Sequence, residues 1–295
     1  MQAPLDRLRH AKKVGFVFCG GAARCVFQIG AIDALAELGV EPALTIGVSA
    51  GAWNAALVSA RLPSRIRHFW RSFLRMPHVD LRNLLVERSP WRYAEIHRRN
   101  FHRVIGRDRY RNPDSLPLFV SVTRLRDGAN RIYDARDFDD PLDLLLATNF
   151  LFPFYTRPPL LFGERFGDGG ASDNAPYEKA FAEGCEAVVL IAQKGESEGG
   201  LFKNTRDTEH VIPEPYRSRV VVIRPRHRLP IAFTEKSWSV LEPFVRVGYL
   251  RTREVLLGEE HSETHVRAEG EAPTAKLTRL VGKVRRARAI IARQP

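Results

Sequence analysis

Short apolar runs, separated by glycine turns or polar stretches, give this chain its frame. Val14 to Cys19 is the first such run and reads as a strand, and Gly20-Gly21-Ala22-Ala23-Arg24 follows it directly. Val26, Ile29, Ile32, Ala36 and Leu38 then recur at helical spacing as far as Gly39, and Ala43 to Ile46 is a second buried-type run. Ala50 to about Ala60 is again helical in pattern. Strand, turn, helix and strand in that order make a βαβ opening, which requires a parallel sheet with helices packed on it. The expected fold class is α/β.

Further on, Leu116 to Thr123 reads as a third strand, and Arg131 to Asp134 as a short extended piece after the Asp127-Gly128 turn signal. Pro141 to Phe150 is predicted to be helical, with proline at its start. Gly163-Glu164, between Leu160-Leu161-Phe162 and Arg165-Phe166, marks a hairpin. Asp173 or Asn174 is expected to cap a helix that carries Pro176 in its first turn. Ala187 to Ala192 and Val220 to Ile223 are two more buried-type strands. The polar residues 193 to 218 between them predict a mobile surface loop, and residues 1 to 13 a mobile lead-in. Thr234 to Gly258 predicts a long helix, broken or kinked near Pro243. Asn149 to Phe162 is crowded with Phe150, Phe152, Phe154, Tyr155 and Phe162, which fits either an acyl-chain wall or ordinary core.

At 295 residues, 44% of them hydrophobic, the chain can bury a large core, and no apolar run approaches the length of a membrane-spanning helix. The first ten residues lack the apolar core of a secretory signal. Cys19, Cys25 and Cys185 form no C-x-x-C pair, and no His/Cys cluster has metal-ligand spacing. They read as packing residues in a reduced, cytoplasmic compartment.

The net charge of +12 is concentrated in two places. Arg61 to Arg111 holds fourteen arginines against Asp80, Glu87, Glu95 and Asp108, interleaved with Phe69, Trp70, Phe73 and Leu74. That pattern predicts two or three short helices, set either as a cap over a site or along the surface. Ala272 to Pro295 adds two lysines and five arginines with no acid, while Leu277, Leu280, Val281, Val284 and Ile291 share one helical face. A helix of that kind lies on an anionic membrane or docks on its own domain. Phospholipid headgroups, nucleic acid or counter-ions would all answer such charge. No zinc-finger spacing or aromatic RNA-binding motif accompanies it, which disfavours nucleic acid.

Gly47, Ser49 and Gly51 have the G-x-S-x-G spacing between a predicted strand and a predicted helix. A serine in that context occupies a strained turn, and the flanking glycines let strand and helix pass closely. Its hydroxyl then stands exposed at a helix N-terminus, where negative charge is favoured. Ser49 is thus a candidate nucleophile for acyl transfer, which also needs a base and donors aimed at an oxyanion. The small residues Gly20, Gly21 and Ala22, at a helix start, offer backbone N–H groups for that purpose. The same loop does not fit a nucleotide phosphate, because the dinucleotide fingerprint needs glycine at Ala22 and the Walker ending Gly-Lys-Ser/Thr is absent. For the base, His210 and His227 lie late in the chain, where an ordinary α/β-hydrolase keeps its histidine. Such a hydrolase places several strands before its nucleophile, whereas a single strand precedes that of Ser49. The order favours Asp168, in the turn Gly167-Asp168-Gly169-Gly170, with a triad through His210 or His227 as the alternative.

The glycine loop with Arg24, the elbow Gly47-Val48-Ser49-Ala50-Gly51 and the pair Asp168-Gly169 resemble, in order and context, the patatin-like phospholipase family. Ile29-Gly30-Ala31 and Asp173-Asn174-Ala175-Pro176 extend the resemblance, which covers residues 14 to 192, with a fainter echo at Gly248-Tyr249. It implies a three-layer α/β/α sandwich with a mainly parallel central sheet, to which the charge pattern adds an arginine-rich helical cap and C-terminal helices. It further implies a Ser49–Asp168 dyad with an oxyanion hole from Gly20, Gly21 and Ala22. The implied reaction is hydrolysis of fatty-acyl esters of phospholipids, lysophospholipids or neutral lipids through an acyl-enzyme, with no metal or other cofactor. Arg24 matches the family's basic loop residue, bracing the turn or meeting a headgroup. Cys19 and Cys25 depart from the family's usual glycines, and a side chain at position 25 can tilt the loop. The chain then divides into a lead-in (1–13), a catalytic domain (14–192) with a cap insert (61–111), a completing strand and helix (193–258) and a basic tail (259–295). The expected setting is cytoplasmic, on a lipid substrate, with peripheral contact to the inner face of the membrane.

Overall fold

The structure, a computed structural model, describes residues 3–83, 85, 89–106, 112–155, 157–202 and 210–259. The strands among them are β1 (Val14–Phe18), β2 (Leu44–Val48), β3 (Leu118–Arg124), β4 (Asn130–Asp134), β5 (Leu160–Leu161), β6 (Glu164–Asp168), β7 (Ala187–Ile191) and β8 (Val220–Ile223). They form one sheet of spatial order β5-β6-β3-β2-β1-β7-β8, with β4 also against β3. Strands β3, β2, β1, β7 and β8 run parallel. Strands β4 and β6 are antiparallel to β3, and β5 is antiparallel to β6.

The central strands are apolar end to end because both faces are covered. Side chains alternate across a strand, so Phe16 and Phe18 of β1 enter one core while Val17 enters another. Strand β7 divides the same way, with Val189 and Ile191 on the first face and Val188 and Leu190 on the second. The helices are α1 (Pro4–His10), α2 (Phe27–Glu37), α3 (Ala50–Ser59), α4 (Ile66–Arg75), α5 (Tyr93–Val104), α6 (Leu142–Thr148), α7 (Tyr177–Ala182) and α8 (Trp238–Leu257). All but α7 contribute to the first core, and α7 closes the second face together with Leu201, Phe202 and Ile212. This is the expected three-layer α/β/α sandwich, with the arginine-rich helices α4 and α5 on the first face. No described helix is long and apolar enough to cross a membrane.

Several local expectations are corrected. Residues 4–10 belong to no mobile lead-in, because they form α1, which starts on Pro4 and buries Leu5 and Leu8. Leu5 and Leu8, three residues apart, share a helical face, and polarity alone hid it. The stretch 193–218 is likewise not all surface loop, since Leu201, Phe202 and Ile212 are buried. The hairpin turns at Phe162-Gly163, both with positive φ, rather than at Gly163-Glu164. Helix α7 has Pro176 at its N-cap without a side-chain cap bond, because Asp173 accepts from the Ala175 amide and Asn174 is engaged elsewhere. The expected kink at Pro243 leaves α8 continuous, and Gly258, with φ 71°, ends it in the left-handed conformation. The basic helix expected within 272–295 lies outside the described residues.

Helices α2 and α8 cross with their backbones in contact. A Cβ on Gly248 would overlap the Phe27 carbonyl oxygen, and one on Gly30 the Val245 carbonyl oxygen. Both glycines belong to the family resemblance, and close helix packing is the physical reason for them. Gly248→Ala should therefore lower the thermal unfolding midpoint by several degrees, for an overpacking cost of about 1–3 kcal/mol. An unchanged midpoint in a circular dichroism melt would contradict so close a crossing.

Candidate active site

Ser49 joins β2 to α3 with φ 51° and ψ −133°, a left-handed conformation costly for a residue with a Cβ. The neighbouring glycines make it possible. A Cβ on Gly51 would sit 2.6 Å from the Phe18 carbonyl oxygen, and one on Gly47 would overlap Ala52. Helix α6 holds the strained turn. The Ser49 amide donates to Thr148 Oγ1 at 2.8 Å, whose hydroxyl donates to the Ser121 carbonyl at 2.6 Å. Asn149 Nδ2 donates to the Ser49 carbonyl at 3.1 Å.

Asp168 ends β6 and opens the short turn Gly169–Ala171. Its Oδ2 accepts the Ser49 hydroxyl at 2.6 Å, and its Oδ1 accepts the Gly170 amide at 2.8 Å. Thr123 Oγ1 donates to the Asp168 carbonyl at 2.7 Å. Gly169 is packed so that a Cβ would overlap the Ser121 carbonyl oxygen. Burial pushes the Asp168 carboxyl up to about 6, against the pull of the two hydrogen bonds from Ser49 and Gly170. A carboxylate with that affinity for a proton, bonded to a hydroxyl at an exposed elbow, is equipped to accept the hydroxyl's proton near neutral pH.

The glycine loop is only partly available for an oxyanion. The Gly20 amide donates to Asn174 Oδ1 at 2.6 Å, and Asn174 Nδ2 returns a bond to the Gly20 carbonyl at 3.3 Å. Gly20, expected as a donor, is thereby committed. The amides of Gly21 and Ala22, at the start of the turn Ala22–Val26, have no acceptor among the described residues. Ala22 and Ala23 line the same cavity as Ser49. Arg24 makes no side-chain hydrogen bond among the described residues, and its Nε is buried without an acceptor. Cys19 and Cys25 are both buried, Cys25 Sγ lies 3.6 Å from the Cys19 carbonyl oxygen, and burial raises both thiols well above their ordinary value.

Above Ser49 and Asp168 opens a cavity of about 710 Å³ including its mouth, walled by α3, α4, α5 and the 149–155 segment. Leu151, Phe154 and Tyr155 of that segment line it, whereas Phe162 packs away from it against Tyr133 and Phe138. The aromatic stretch is thus part wall and part core. Two wall residues went unforeseen. His97 stacks between Trp53 at 4.6 Å and Phe73 at 4.5 Å, and burial lowers its pKa to about 3. His78 stacks on Tyr93, bonds the Phe73 carbonyl through Nε2, and is lowered by burial to about 4. Both are neutral, flat walls at physiological pH. For His97 the signal in the sequence was its i, i+4 spacing from Tyr93; His78, in the segment after α4, had none.

His210 and His227 do not line this cavity. His210 stacks on Phe202 and meets the Tyr177 hydroxyl at 3.2 Å, in the layer on the second face. The structure therefore brings Ser49 to Asp168 and neither of these histidines into the cavity.

Comparison with known proteins bears on the family. A 61-residue segment, 20% of the chain, is 43% identical to human 1-acylglycerol-3-phosphate O-acyltransferase PNPLA3, covering 12% of that protein. Over 171 residues, 54% of the chain, identity to the omega-hydroxyceramide transacylase of Mus musculus is 30%, covering 27% of that protein. The matched regions thus span about a quarter or less of these relatives. The crystal structure of VipD from Legionella pneumophila shares the fold, with TM-score 0.50 and 14% identity, over 84% of this chain and 67% of that one. The family model for patatin-like phospholipase matches residues 16–181, more than half of the chain, and the protein belongs to that family.

Proposed function

We propose that the protein is a serine-dependent lipid acyl hydrolase of phospholipase A or lysophospholipase type, with residues 14–258 as its catalytic unit, acting in the cytoplasm. The observation that carries this reading is the 2.6 Å hydrogen bond from Ser49 Oγ to Asp168 Oδ2, at the base of an aromatic cavity. Asp168 accepts the serine proton as Oγ attacks the acyl carbonyl. The amides of Gly21 and Ala22 receive the developing oxyanion. The tetrahedral intermediate collapses, the leaving alcohol takes the proton from Asp168, and the acyl group stays on Ser49. Asp168 then draws a proton from water, which attacks the ester; as the acyl–Oγ bond breaks, Asp168 returns that proton to Ser49 Oγ and the fatty acid is freed. Every step uses groups of the chain itself, so the reading requires no metal or cofactor. Resolution by an alcohol instead of water, giving acyl transfer, is a second reading, favoured by the acyltransferase and transacylase activities for which the two relatives are named.

Membrane lipid extracts incubated with the protein and profiled by mass spectrometry test the substrate class. Loss of intact glycerolipid with release of free fatty acid supports hydrolysis, whereas a new acylated alcohol supports transfer. His210→Ala and His227→Ala are expected to retain native turnover. Collapse of activity in either, with Asp168→Asn still active, would overturn the dyad in favour of a triad.

A further inference from the structure

The mouth of the Ser49 cavity carries solvent-exposed apolar side chains. Leu151 and Phe233 line it and are 38% and 46% exposed, the adjoining Phe152 is 59% exposed, and Leu81, two residues beyond Val79, is 72% exposed. Three remote segments converge to place them. Val79 pairs with Trp91, Trp91 packs on Phe154 with ring centroids 5.0 Å apart, and Phe154 stacks on Phe233 at 5.4 Å. Single exposed apolar residues are ordinary, but a group gathered from distant parts of the chain around one opening marks an interaction surface.

Charged groups stand at the same edge. Arg82 is exposed, Lys236 lines the mouth beside Glu235, and neither cation forms an ion pair among the described residues. Along α4 and just beyond it, residues divide between two cavities. Phe73, Leu74 and His78 face the Ser49 cavity, while Arg75, Met76 and Pro77 join Arg71, Arg99 and Arg103 in an adjoining surface groove. Arg71 is neutralised by Glu242, but Arg75, Arg99 and Arg103 have no ion pair among the described residues.

We propose that this rim and groove form the face by which the protein docks on an anionic bilayer. The apolar rim enters the headgroup boundary, and the three arginines and Lys236 lie among the lipid phosphates. A bilayer fits better than a protein partner for two reasons. The groove is lined by arginines and by no acidic residue, and the opening beside it leads to an apolar cavity that a lipid chain can enter without crossing water. The inference rests on the reading of that cavity as a lipid site.

The full chain carrying Ser49→Ala leaves vesicles intact and can be co-sedimented with phosphatidylcholine vesicles, with and without phosphatidylglycerol. Binding is expected on the anionic vesicles and should weaken as salt rises. Leu81→Ser with Phe152→Ser should reduce vesicle affinity about tenfold or more. Arg75→Glu, Arg99→Glu and Arg103→Glu together should remove the preference for phosphatidylglycerol. On the native Ser49 background both combinations should turn over a soluble short-chain ester at the native rate and unfold at the native temperature. Absence of binding by the parent, or parent-like binding by both combinations, would overturn the proposal. Loss of binding on neutralising residues 272–295 alone, with the cap variants binding normally, would do the same. Intact vesicle binding without ester turnover would overturn the hydrolase reading and leave the docking face standing.

Discussion

Ser49→Ala is expected to lower turnover of a soluble fatty-acyl ester on the order of 10⁵-fold or more, as loss of a covalent nucleophile does elsewhere. Neither the cavity's histidines nor the buried cysteines can take its place. The two histidines are neutral and stacked on rings, and the cysteines are held as thiols. The fold should survive, because the elbow is set by Gly47, Gly51 and the Thr148 and Asn149 clamps on the Ser49 backbone, none of which needs the hydroxyl. The substitution removes the Ser49–Asp168 hydrogen bond, which in the native protein pulls the carboxyl's proton affinity down. A thermal melt within a few degrees of native, with turnover at the level of buffer, is the expected pair of results. Turnover within tenfold of native would sink the assignment.

Asp168→Asn is expected to cost on the order of 10⁴-fold, by analogy with removing the charge from a catalytic carboxylate while keeping its shape. The asparagine oxygen can still accept from Gly170, but it cannot take the serine proton. The native pH profile follows from the same group. With Asp168 raised from its ordinary 3.8 to about 6 by burial, kcat/KM should fall about tenfold per pH unit below 6 and level off above it. The stability effect has the opposite sign. The folded carboxyl binds its proton more tightly than the unfolded one, so stability declines as pH rises from about 4 to 6. Above that, ionised Asp168 costs about 3 kcal/mol. Asp168→Asn lacks this cost and should melt no lower than native at pH 7. A melt well below native would contradict the burial argument, and an acid limb that persists unchanged in the residual activity of Asp168→Asn would shift attention from Asp168.

The elbow and Asp168 were legible in the sequence because their chemistry fixes neighbours at short range. Glycines at 47 and 51 must admit a crossing backbone, and Gly169 must lie against the Ser121 carbonyl. The strands were legible for a similar reason, since burial on both faces leaves uninterrupted apolar runs. What escaped was set by interactions between residues far apart in the chain. Gly20 looks like an oxyanion donor until Asn174, 154 residues later, takes its amide. Thr148 and Asn149 look like the frayed end of a helix, yet they hold the Ser49 backbone. The histidine walls of the cavity depend on how α4 and α5 pack, which composition does not encode. Helix α1 and the buried part of 193–218 were missed because a few apolar residues in polar stretches can be enough to dock a segment.

The most direct measurement is intact-protein mass spectrometry after treatment with a fluorophosphonate, followed by peptide mapping. The account predicts one phosphonyl adduct per native chain, on Ser49, with no adduct on Ser49→Ala and greatly slowed labelling of Asp168→Asn. An unlabelled native chain, or equal labelling of Ser49→Ala, would contradict it.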